Sequence, residues 1–464
     1  MTAPRSATET AAALHAGQTT AQATTQATLN NIAQNDPTIQ AFTATTPTRA
    51  QEEATRIDAL LAAGQSPGPL AGAPYAVKNL FDIESLTTLA GSRILAGNPP
   101  APTDAFAIAR LHQAGAILVG ALNMEEFAYG FLTDNAHHGR TLNPHDPART
   151  AGGSSGGAGA AVAAGLVPLA LGSDTNGSIR IPAAFCGVFG LKPTYGRLSR
   201  AGIVPFVPSF DHIGPLARTT ADIAAAYDAL QGPDPNDPVQ SNRPIEPATP
   251  TLHDGHANLR IATADGYFAS GMTQPVAQAV ALAAAALGAT GQVTIPAPEA
   301  ARAAAYVITS IEAASLQREN LRTRPQDFDP ATRDRFLAGF LLPADWYIRA
   351  QRFRTWFRGA MHEIFQHVDV IIAPTAPFEA PRFTDQTLEV DGQTVPVRTT
   401  IGRFTQPLSL IGLPILAVPI HIPGHLPVGI QLIGPPWSEP TLLRVSRTLE
   451  ASFPAPNLKG PREE

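Results

Sequence analysis

One turn near the middle of the chain combines a serine hydroxyl with backbone N–H groups suited to amide or ester hydrolysis. Ser178 follows an apolar stretch and a Thr-Asn-Gly turn in LGSDTNGSIRIP, residues 171–182. Successive N–H groups of such a turn can converge, and preorganised donors stabilise the negative charge that develops on a carbonyl oxygen. We expect Asp174 and Arg180 to pair across the turn and hold its shape. The N–H groups predicted to form this oxyanion hole are those of Thr175, Asn176, Gly177 and Ser178.

A second glycine-rich segment, AGGSSGGAGA at 151–160, contains Ser154 and Ser155 before an Ala/Val-rich run compatible with a helix. It lacks the lysine of a P-loop and the spacing of a dinucleotide fingerprint. The letters GGSSG fit a nucleophile elbow, but an elbow follows a strand, and the proline-containing stretch 143–149 is not expected to be one. A Ser–His–Asp hydrolase is therefore disfavoured. Taken alone, either serine is better explained as a helix cap.

Lysine is rare in this chain, so its positions are informative. Of 32 basic residues, only Lys78, Lys192 and Lys459 are lysines. The pKa of arginine is too high for it to act as a base, whereas a buried lysine can lose its proton. Lys78 ends the apolar segment APYAVK and is the candidate base, although alone it is better explained as a surface lysine at a strand end. Lys192 is assigned to structure and Lys459 to the C-terminal tail.

The elements that must position these residues alternate between short apolar strands and longer helices. This alternation is typical of an α/β fold with a mostly parallel sheet. Helices are predicted at 8–33, 47–64, 104–114, 219–230, 274–287, 298–321, 343–366 and 438–452. Strands are predicted at 73–78, 116–120, 166–171, 259–263, 368–373, 414–420 and 428–433.

We predict one domain over 1–464, made of four consecutive parts. An N-terminal helical region at about 1–65 precedes a core at about 66–230 that contains both serine segments. A proline-rich connection at about 231–255 leads to a C-terminal α/β portion at about 256–455. The connection includes QGPDPNDPVQSNRPIEPATP, which is not expected to hold regular structure.

Bulk composition excludes several classes of protein. A hydrophobic content of 44% with 15% charged residues indicates an ordinary globular protein. A net charge of −6 without basic–aromatic clusters argues against nucleic-acid binding. No window reaches the ~20 apolar residues of a membrane helix, and the N-terminus lacks the pattern of a signal peptide. The single cysteine, Cys186, is expected to be a buried structural thiol, and we expect a cytoplasmic protein.

Together these motifs resemble the amidase signature family over nearly the whole chain. Other stretches that carry the resemblance are PYAVKN at 74–79, GLKPT at 190–194, DHIGPL at 211–216, APTAP at 373–377 and LPVGIQLI at 426–433. The resemblance implies a mixed, mostly parallel central β-sheet covered by α-helices on both faces. It also implies a catalytic triad of Lys78, Ser154 and Ser178, a cis peptide before Ser154, and no metal or other cofactor.

The triad is chemically coherent. A serine hydroxyl is a poor nucleophile and needs a neighbouring base, and no histidine stands near either serine segment in a convincing pairing. A lysine can serve if burial lowers its pKa from ~10.4 far enough to keep it neutral. We expect Lys78 to draw a proton through Ser154 from Ser178, which attacks the amide carbon. Ser154 then returns the proton to the leaving nitrogen, and water hydrolyses the acyl-enzyme.

Two branches of the family compete. One branch is the glutaminase-type subunit of the tRNA-dependent amidotransferase, and the other hydrolyses 1-carboxybiuret. Stretches that look like the second branch are NLFDI at 79–83, DTNG at 174–177, YDALQGPDP at 227–235, RPQDF at 324–328 and YIRAQRFR at 347–354. Asn176 departs from the glycine of most family members, and its side-chain amide could bond a ureido carbonyl or N–H. The aspartate that binds the amino group of glutamine would fall near 401–403, where no acid stands.

We therefore expect a small ureido or carboxylated amide as substrate, with release of ammonia. A substrate carboxylate needs a cation, and arginine binds carboxylates bidentately. Arg354 matches the position that binds the carboxylate in the glutaminase-type branch, and Arg322 is a second candidate, although each alone is better explained as a surface charge. The resemblance also implies a small helical partner subunit in a heterotetramer. A non-catalytic binding protein on the same fold is a third class, against which the intact Lys–Ser–Ser set counts.

Overall fold

The computed structural model describes residues 5–454, so Lys459 and the first four residues lie outside it. None of the helices in this part is long and apolar enough to cross a bilayer. The α-helices are α1 (Ala7–His15), α2 (Ala21–Asn35), α3 (Pro47–Ala62), α4 (Phe106–Gln113), α5 (Gly156–Ala163), α6 (Arg180–Cys186), α7 (Thr220–Leu230), α8 (Gln274–Ala286), α9 (Pro298–Leu316), α10 (Arg318–Thr323), α11 (Pro330–Gly339), α12 (Ala344–Phe365), α13 (Val397–Thr400), α14 (Gln406–Ser409) and α15 (Glu439–Ser452). The strands are β1 (Phe42–Thr45), β2 (Pro74–Lys78), β3 (Ile117–Leu122), β4 (Asp134–Asn135), β5 (Gly139–Arg140), β6 (Leu142–Asn143), β7 (Asp146–Thr150), β8 (Leu169–Asp174), β9 (Phe189–Lys192), β10 (His212–Ala217), β11 (Ile261–Ala264), β12 (Gly291–Val293), β13 (Val370–Pro374), β14 (Thr387–Val390), β15 (Gln393–Pro396), β16 (Ile415–Ile420) and β17 (Val428–Ile433).

Eleven of these strands form one central sheet that includes both halves of the chain. Their order is β1-β3-β2-β8-β10-β9-β16-β17-β13-β11-β12. The two halves meet where β9 pairs with β16. Between them, the described stretch 231–250 contains no α-helix and no strand, and the regular structure in it is the start of a short 3-10 helix at Thr249–Thr251.

The sheet is mixed, as predicted, but the expectation that it is mostly parallel is wrong. Among the described strands of the sheet, the parallel pairs are β2–β3, β2–β8, β11–β12 and β11–β13. The six remaining pairs are antiparallel. The reason lies in the connections: β10 follows β9, and β17 follows β16, without an intervening α-helix. Parallel neighbours need a long crossover connection, whereas antiparallel neighbours do not.

Side chains along the strands alternate between two hydrophobic clusters, so both faces of the sheet are covered. In β2, Tyr75 and Val77 pack into the first cluster and Ala76 into the second. The first cluster also contains side chains of α4, α7 and α8, and the second contains side chains of α2, α3 and α5. Successive residues of a strand point to opposite faces, so helices cover both faces of the sheet, as expected.

Several local predictions were wrong. The helix predicted at 8–33 is two helices, because Gly17 has a φ of 67°, a left-handed conformation that ends a helix, and the Thr20 side chain caps α2. The helix predicted at 298–321 ends as α9 and resumes as α10. The stretch 143–149 was not expected to form a strand, yet β7 pairs with β6 in a separate two-stranded sheet. An isolated two-stranded sheet has edges that tolerate proline, here Pro147.

Candidate active site

The lysine at the end of β2 lies at the centre of a buried polar cluster. All five residues of β2 are buried, and its parallel pairing with β8 places Val77 opposite Leu171. Lys78 therefore reaches the carboxyl end of both strands. Its Nζ lies 2.6 Å from Ser154 Oγ and 2.9 Å from Ser173 Oγ. The interpretation of Lys78 as an exposed strand-end lysine is thus excluded.

The surroundings of Lys78 favour the neutral amine. Burial lowers the pKa of Lys78 from its ordinary value to about 7, against the opposing attraction of Asp174, Asp211 and Glu125. The hydrogen bonding also favours the neutral amine, because an ammonium group has three N–H donors that need acceptors. The described residues offer its nitrogen only the two serine hydroxyls. A neutral amine has a lone pair that can accept the hydroxyl hydrogen of Ser154.

The glycine-rich segment delivers Ser154 to this amine. The Gly153–Ser154 peptide is cis, as the family resemblance implies, and Ser154 O accepts a hydrogen bond from Glu125 N at 3.2 Å. Helix α5 begins two residues later, yet neither serine caps it with a side chain. Instead, Ser155 Oγ donates to Ser173 O at 3.1 Å, which ties the segment to β8. The helix-cap interpretation is therefore not supported.

Ser178 lies beside the same segment and is only 3% exposed. Its carbonyl oxygen accepts a hydrogen bond from Ser155 N at 3.2 Å. Among the described residues there is no hydrogen bond between the hydroxyls of Ser154 and Ser178. The structure thus brings Lys78 and Ser154 into direct contact and joins Ser178 to them through the backbone.

An ion pair shapes the turn that carries Ser178. Arg180 Nε lies 2.9 Å from Asp174 Oδ2, and both side chains are fully buried, so the predicted pairing is present. Burial alone would raise the pKa of Asp174, but the Arg180 guanidinium holds it well below its usual range. Arg180 also donates to Gln431 Oε1 at 3.0 Å and to Ser409 Oγ at 2.6 Å. The C-terminal half of the chain therefore helps to fix this turn.

The turn offers three free backbone donors rather than the predicted four. Gly177 N donates to Asp174 Oδ1 at 2.7 Å, so its inclusion in the oxyanion hole was wrong. The N–H groups of Thr175, Asn176 and Ser178 have no hydrogen-bond acceptor among the described residues. Because Asp174 Oδ1 accepts the Gly177 N–H, this group is taken out of the four predicted oxyanion donors.

The predicted substrate-binding side chains differ in placement. Arg354 is half-buried, donates through Nη2 to Ser209 O at 2.9 Å and stacks over Phe210 at 4.9 Å, whereas its Nε has no partner among the described residues. Arg322 is 71% exposed and pairs with Glu319 one helical turn away. Its predicted contact with substrate is not supported, because its side chain points to solvent. Asn176 is buried beside the free N–H groups.

Sequence reasoning missed Ser173, the second hydroxyl on Lys78. The signal for it was available only with the strand register, because Ser173 follows the β8 residues that pair with β2. Two other assignments to structure agree with the contacts observed. Lys192 Nζ donates to Leu413 O, to Pro193 O and to the His212 ring. Cys186 is buried, and burial raises the pKa of its thiol.

The chain is similar to known proteins over nearly its whole length. A family model described as amidase matches residues 23–443. AtzE of Pseudomonas sp. (strain ADP), which belongs to 1-carboxybiuret hydrolase, is 52% identical over 437 residues, 94% of this chain and 95% of that protein. A glutamyl-tRNA(Gln) amidotransferase subunit of Chloroflexus aurantiacus is 41% identical over 464 residues, 94% of this chain and 93% of that protein.

Two solved structures superimpose on nearly the whole chain and correspond to the same two groups of relatives. A structure described as a vestigial protein complex that reveals the evolutionary origins of an s-triazine catabolic enzyme superimposes with a TM-score of 0.95 and 50% identity, covering 97% of this chain and 98% of that chain. The corresponding glutamyl-tRNA(Gln) amidotransferase subunit of Thermotoga maritima superimposes with a TM-score of 0.77 and 31% identity, covering 94% and 92% of the two chains.

Proposed function

The chain belongs to the amidase family, and from this membership we propose that it hydrolyses the C–N bond of a small ureido amide, 1-carboxybiuret or a close analogue, with Ser178 as nucleophile. The observation that carries the mechanism is the buried contact of 2.6 Å between Lys78 Nζ and Ser154 Oγ. A neutral amine bonded to a hydroxyl is the base that a serine nucleophile needs. Ser178 is joined to Ser154 and Ser155 through the backbone of the adjoining segment.

In the first half of the reaction, Ser178 Oγ forms a bond to the terminal carbonyl carbon of the substrate. Its proton passes to Ser154, whose own proton passes to Lys78 Nζ. The carbonyl oxygen becomes an oxyanion and is bound by the free N–H groups of Thr175, Asn176 and Ser178. When the C–N bond breaks, Ser154 donates its proton to the departing nitrogen and takes back the proton held by Lys78 Nζ, so ammonia leaves and the amine is neutral again.

In the second half, water hydrolyses the acyl-enzyme on Ser178. The same base accepts a proton from water through Ser154, a new C–O bond forms, and the bond between the carbonyl carbon and Ser178 Oγ breaks. Ser178 regains its proton, and the product leaves as a carboxylate or carbamate. One water is consumed and one ammonia is released for each amide, so the enzyme returns to its starting state.

The carboxylated substrate is supported by two features. The relative from Pseudomonas, 52% identical to this chain, is part of 1-carboxybiuret hydrolase. Arg354 has an unpaired Nε and lies over Phe210, one residue from Asp211. Asp211 accepts a hydrogen bond of 2.6 Å from Thr175 Oγ1 in the oxyanion turn. We propose that the Arg354 guanidinium binds the substrate carboxylate at the end of the site opposite the scissile bond.

Glutamine hydrolysis is the second candidate, favoured by the relative that is 41% identical and belongs to a glutamyl-tRNA(Gln) amidotransferase. Thr405 Oγ1 donates to Asn176 O at 2.7 Å, so the segment that begins at Ile401 lies beside the oxyanion turn. This segment reads IGRFT and contains no acid that could bind the α-amino group of glutamine. The amidotransferase reaction is therefore disfavoured.

The test is a comparison of ammonia release from 1-carboxybiuret, biuret and glutamine by the purified protein. We expect kcat/KM to be highest for 1-carboxybiuret and to fall to background with Ser178→Ala. Glutamine as the best substrate would reverse the choice between the two candidates. Release of no ammonia from any of the three would contradict the proposal as a whole.

We also propose a cytoplasmic location and a small helical partner protein. The partner is supported by the related structure described as a protein complex. The location is supported by a single buried cysteine, which needs no oxidising compartment. Light scattering and activity of the purified chain test the partner, and a monodisperse chain with full activity would contradict it. Cell fractionation tests the location.

A further inference from the structure

The side chain of Asn176 has one satisfied end and one unsatisfied end. Its Nδ2 donates to Thr309 Oγ1 of α9 at 2.9 Å. Its Oδ1 is buried and has no hydrogen-bond partner among the described residues. Buried polar atoms without a partner are rare in folded proteins. An unpaired acceptor two residues from the proposed nucleophile is therefore a candidate for a bond that forms only when the substrate is present.

The position of this oxygen is fixed from two sides. Thr405 Oγ1 donates to the main-chain oxygen of Asn176 at 2.7 Å and holds its backbone. Thr309 holds the side-chain amide from the other side. Asn176 is 7% exposed and Ser178 is 3% exposed, so both residues are almost completely buried. Oδ1 itself has almost no solvent-accessible surface, so a substrate N–H reaches it only when the side chains that cover it move aside.

In the proposed mechanism the free backbone N–H of Asn176 binds the oxyanion, so the side chain of the same residue is a candidate neighbour of the carbonyl that reacts. In a ureido substrate the scissile carbonyl carbon carries an N–H group on the side opposite the leaving nitrogen. In an ordinary carboxamide a methylene group occupies that position. We propose that Asn176 Oδ1 accepts this N–H and thereby selects ureido substrates over carboxamides of the same length. This inference rests on the proposed amidase function and specifies its substrate class.

The physical basis of the selection is the unpaired acceptor itself. A substrate N–H pairs with Oδ1 and loses little on leaving water, whereas a methylene leaves the oxygen buried and unsatisfied. The unpaired oxygen therefore lowers kcat/KM for the methylene compound and leaves that of the ureido compound high. The selection requires the acceptor end of the amide to face the substrate, which is the orientation in which Nδ2 donates to Thr309 Oγ1.

A matched pair of compounds tests the proposal. N-Carbamoyl-β-alanine and glutaramate have the same chain length, the same carboxylate and the same terminal amide, and they differ only by N–H against CH₂ next to the scissile carbonyl. Ammonia release gives kcat/KM for each, and the ratio of the two values is the readout. The ratio is independent of the fraction of active protein, so partial misfolding of a variant does not affect it.

Three variants separate the acceptor from other roles of the side chain. Asn176→Ala removes the acceptor, and we expect the ratio to fall about tenfold, the effect of one buried hydrogen bond. Asn176→Asp keeps an oxygen acceptor and is expected to keep the ratio, even if its charge slows both reactions beside the oxyanion. Thr309→Val frees the amide to rotate and is expected to lower the ratio, and Thr309→Ser restores it. Ser315→Ala, on the exposed face of the same helix, is the control.

Each outcome is informative. A ratio that is unchanged in Asn176→Ala, with both compounds hydrolysed, would overturn the inference and leave the amidase function intact. A ratio lost in Asn176→Asp as well as in Asn176→Ala would show that the donor end matters and would also overturn it. A wild type that hydrolyses glutaramate alone would contradict the proposed ureido substrate class, and the inference with it. Ammonia from neither compound would count against the proposed function.

Discussion

Lys78 and Ser154 come from separate segments of the chain, yet the amine nitrogen lies 2.6 Å from the hydroxyl oxygen, and neither side chain is exposed. A surface lysine and a helix-capping serine would not meet in this way. The contact joins the end of β2 to the cis peptide before α5, and it is the geometric basis of the proposed proton path.

Removing the base should abolish most of the activity. With Lys78→Met we expect kcat to fall by about 10² to 10⁴, the range of a general base. Lys78→Arg should be equally inactive, because arginine cannot lose its proton at neutral pH. Ammonia release under saturating substrate measures both. Near-normal turnover of the arginine variant would show that Lys78 acts only as a positive charge.

The pH profile should report the neutral form of Lys78. Burial holds its pKa at about 7, and the base is active only when deprotonated. Therefore kcat/KM, which reflects the free enzyme, should rise with pH, pass its midpoint near that value and level off above it. An unperturbed lysine would place the midpoint near ~10.4. A midpoint there, or activity that falls with rising pH across neutrality, would contradict a neutral buried amine.

Ser173 should assist Lys78 without being required. Its hydroxyl lies 2.9 Å from Lys78 Nζ, so Ser173→Ala removes one of two partners of the amine. A hydrogen bond is worth about 1 kcal/mol, so we expect a decrease of about fivefold in kcat and a pH midpoint displaced to lower pH, because the protonated amine loses an acceptor. Ser173→Thr keeps the hydroxyl and should restore both values. Unchanged kinetics in the alanine variant would remove Ser173 from the site.

The buried ion pair between Asp174 and Arg180 should matter far more for stability than an exposed ion pair. Asp174→Asn leaves the buried Arg180 guanidinium without its counter-charge, and we expect a loss of about 3 to 5 kcal/mol in the free energy of unfolding. Urea denaturation measures it. Glu319→Gln, which breaks the exposed pair with Arg322, should leave the midpoint unchanged. An equal change in the free energy of unfolding in the two variants would mean that the Asp174–Arg180 pair does not stabilise the turn.

Arg354 should act on the carboxylate of the substrate and not on the chemistry. With Arg354→Ala we expect kcat/KM for 1-carboxybiuret to fall by tenfold or more relative to that for biuret, since charged hydrogen bonds contribute about 1.5 to 3 kcal/mol. Arg349→Ala on the same helix is the control, because Arg349 is exposed and pairs with Asp345. A preference for the carboxylated compound that survives Arg354→Ala would place the carboxylate elsewhere.

Much of the fold followed from hydrophobic patterns. Every predicted strand overlaps a strand of the central sheet, because short apolar runs bounded by polar residues have few alternatives. Strands β9 and β10 were missed, since Gly190, Gly214 and Pro215 interrupt their patterns, and burial on both faces removes the alternation that marks a half-exposed strand. Without β9 and β10, the antiparallel centre of the sheet could not be predicted.

Residue type alone is enough to propose a candidate site, whereas geometry decides which of its residues meet. A rare lysine and two serines in glycine-rich segments suffice to propose a base and a nucleophile. Whether Gly177 N faces the substrate or Asp174, and whether Arg322 faces the pocket or Glu319, depends on dihedral angles and helix rotation. Those are set by tertiary packing, which a single sequence does not record.

The most direct test of the account is peptide mapping after the protein reacts with a fluorophosphonate. Such a probe bonds to a serine only if a neighbouring base activates the hydroxyl and N–H donors bind the phosphoryl oxygen. We expect a single labelled peptide that carries Ser178, and loss of the label in Lys78→Met. Labelling of a different serine, or equal labelling without Lys78, would contradict it.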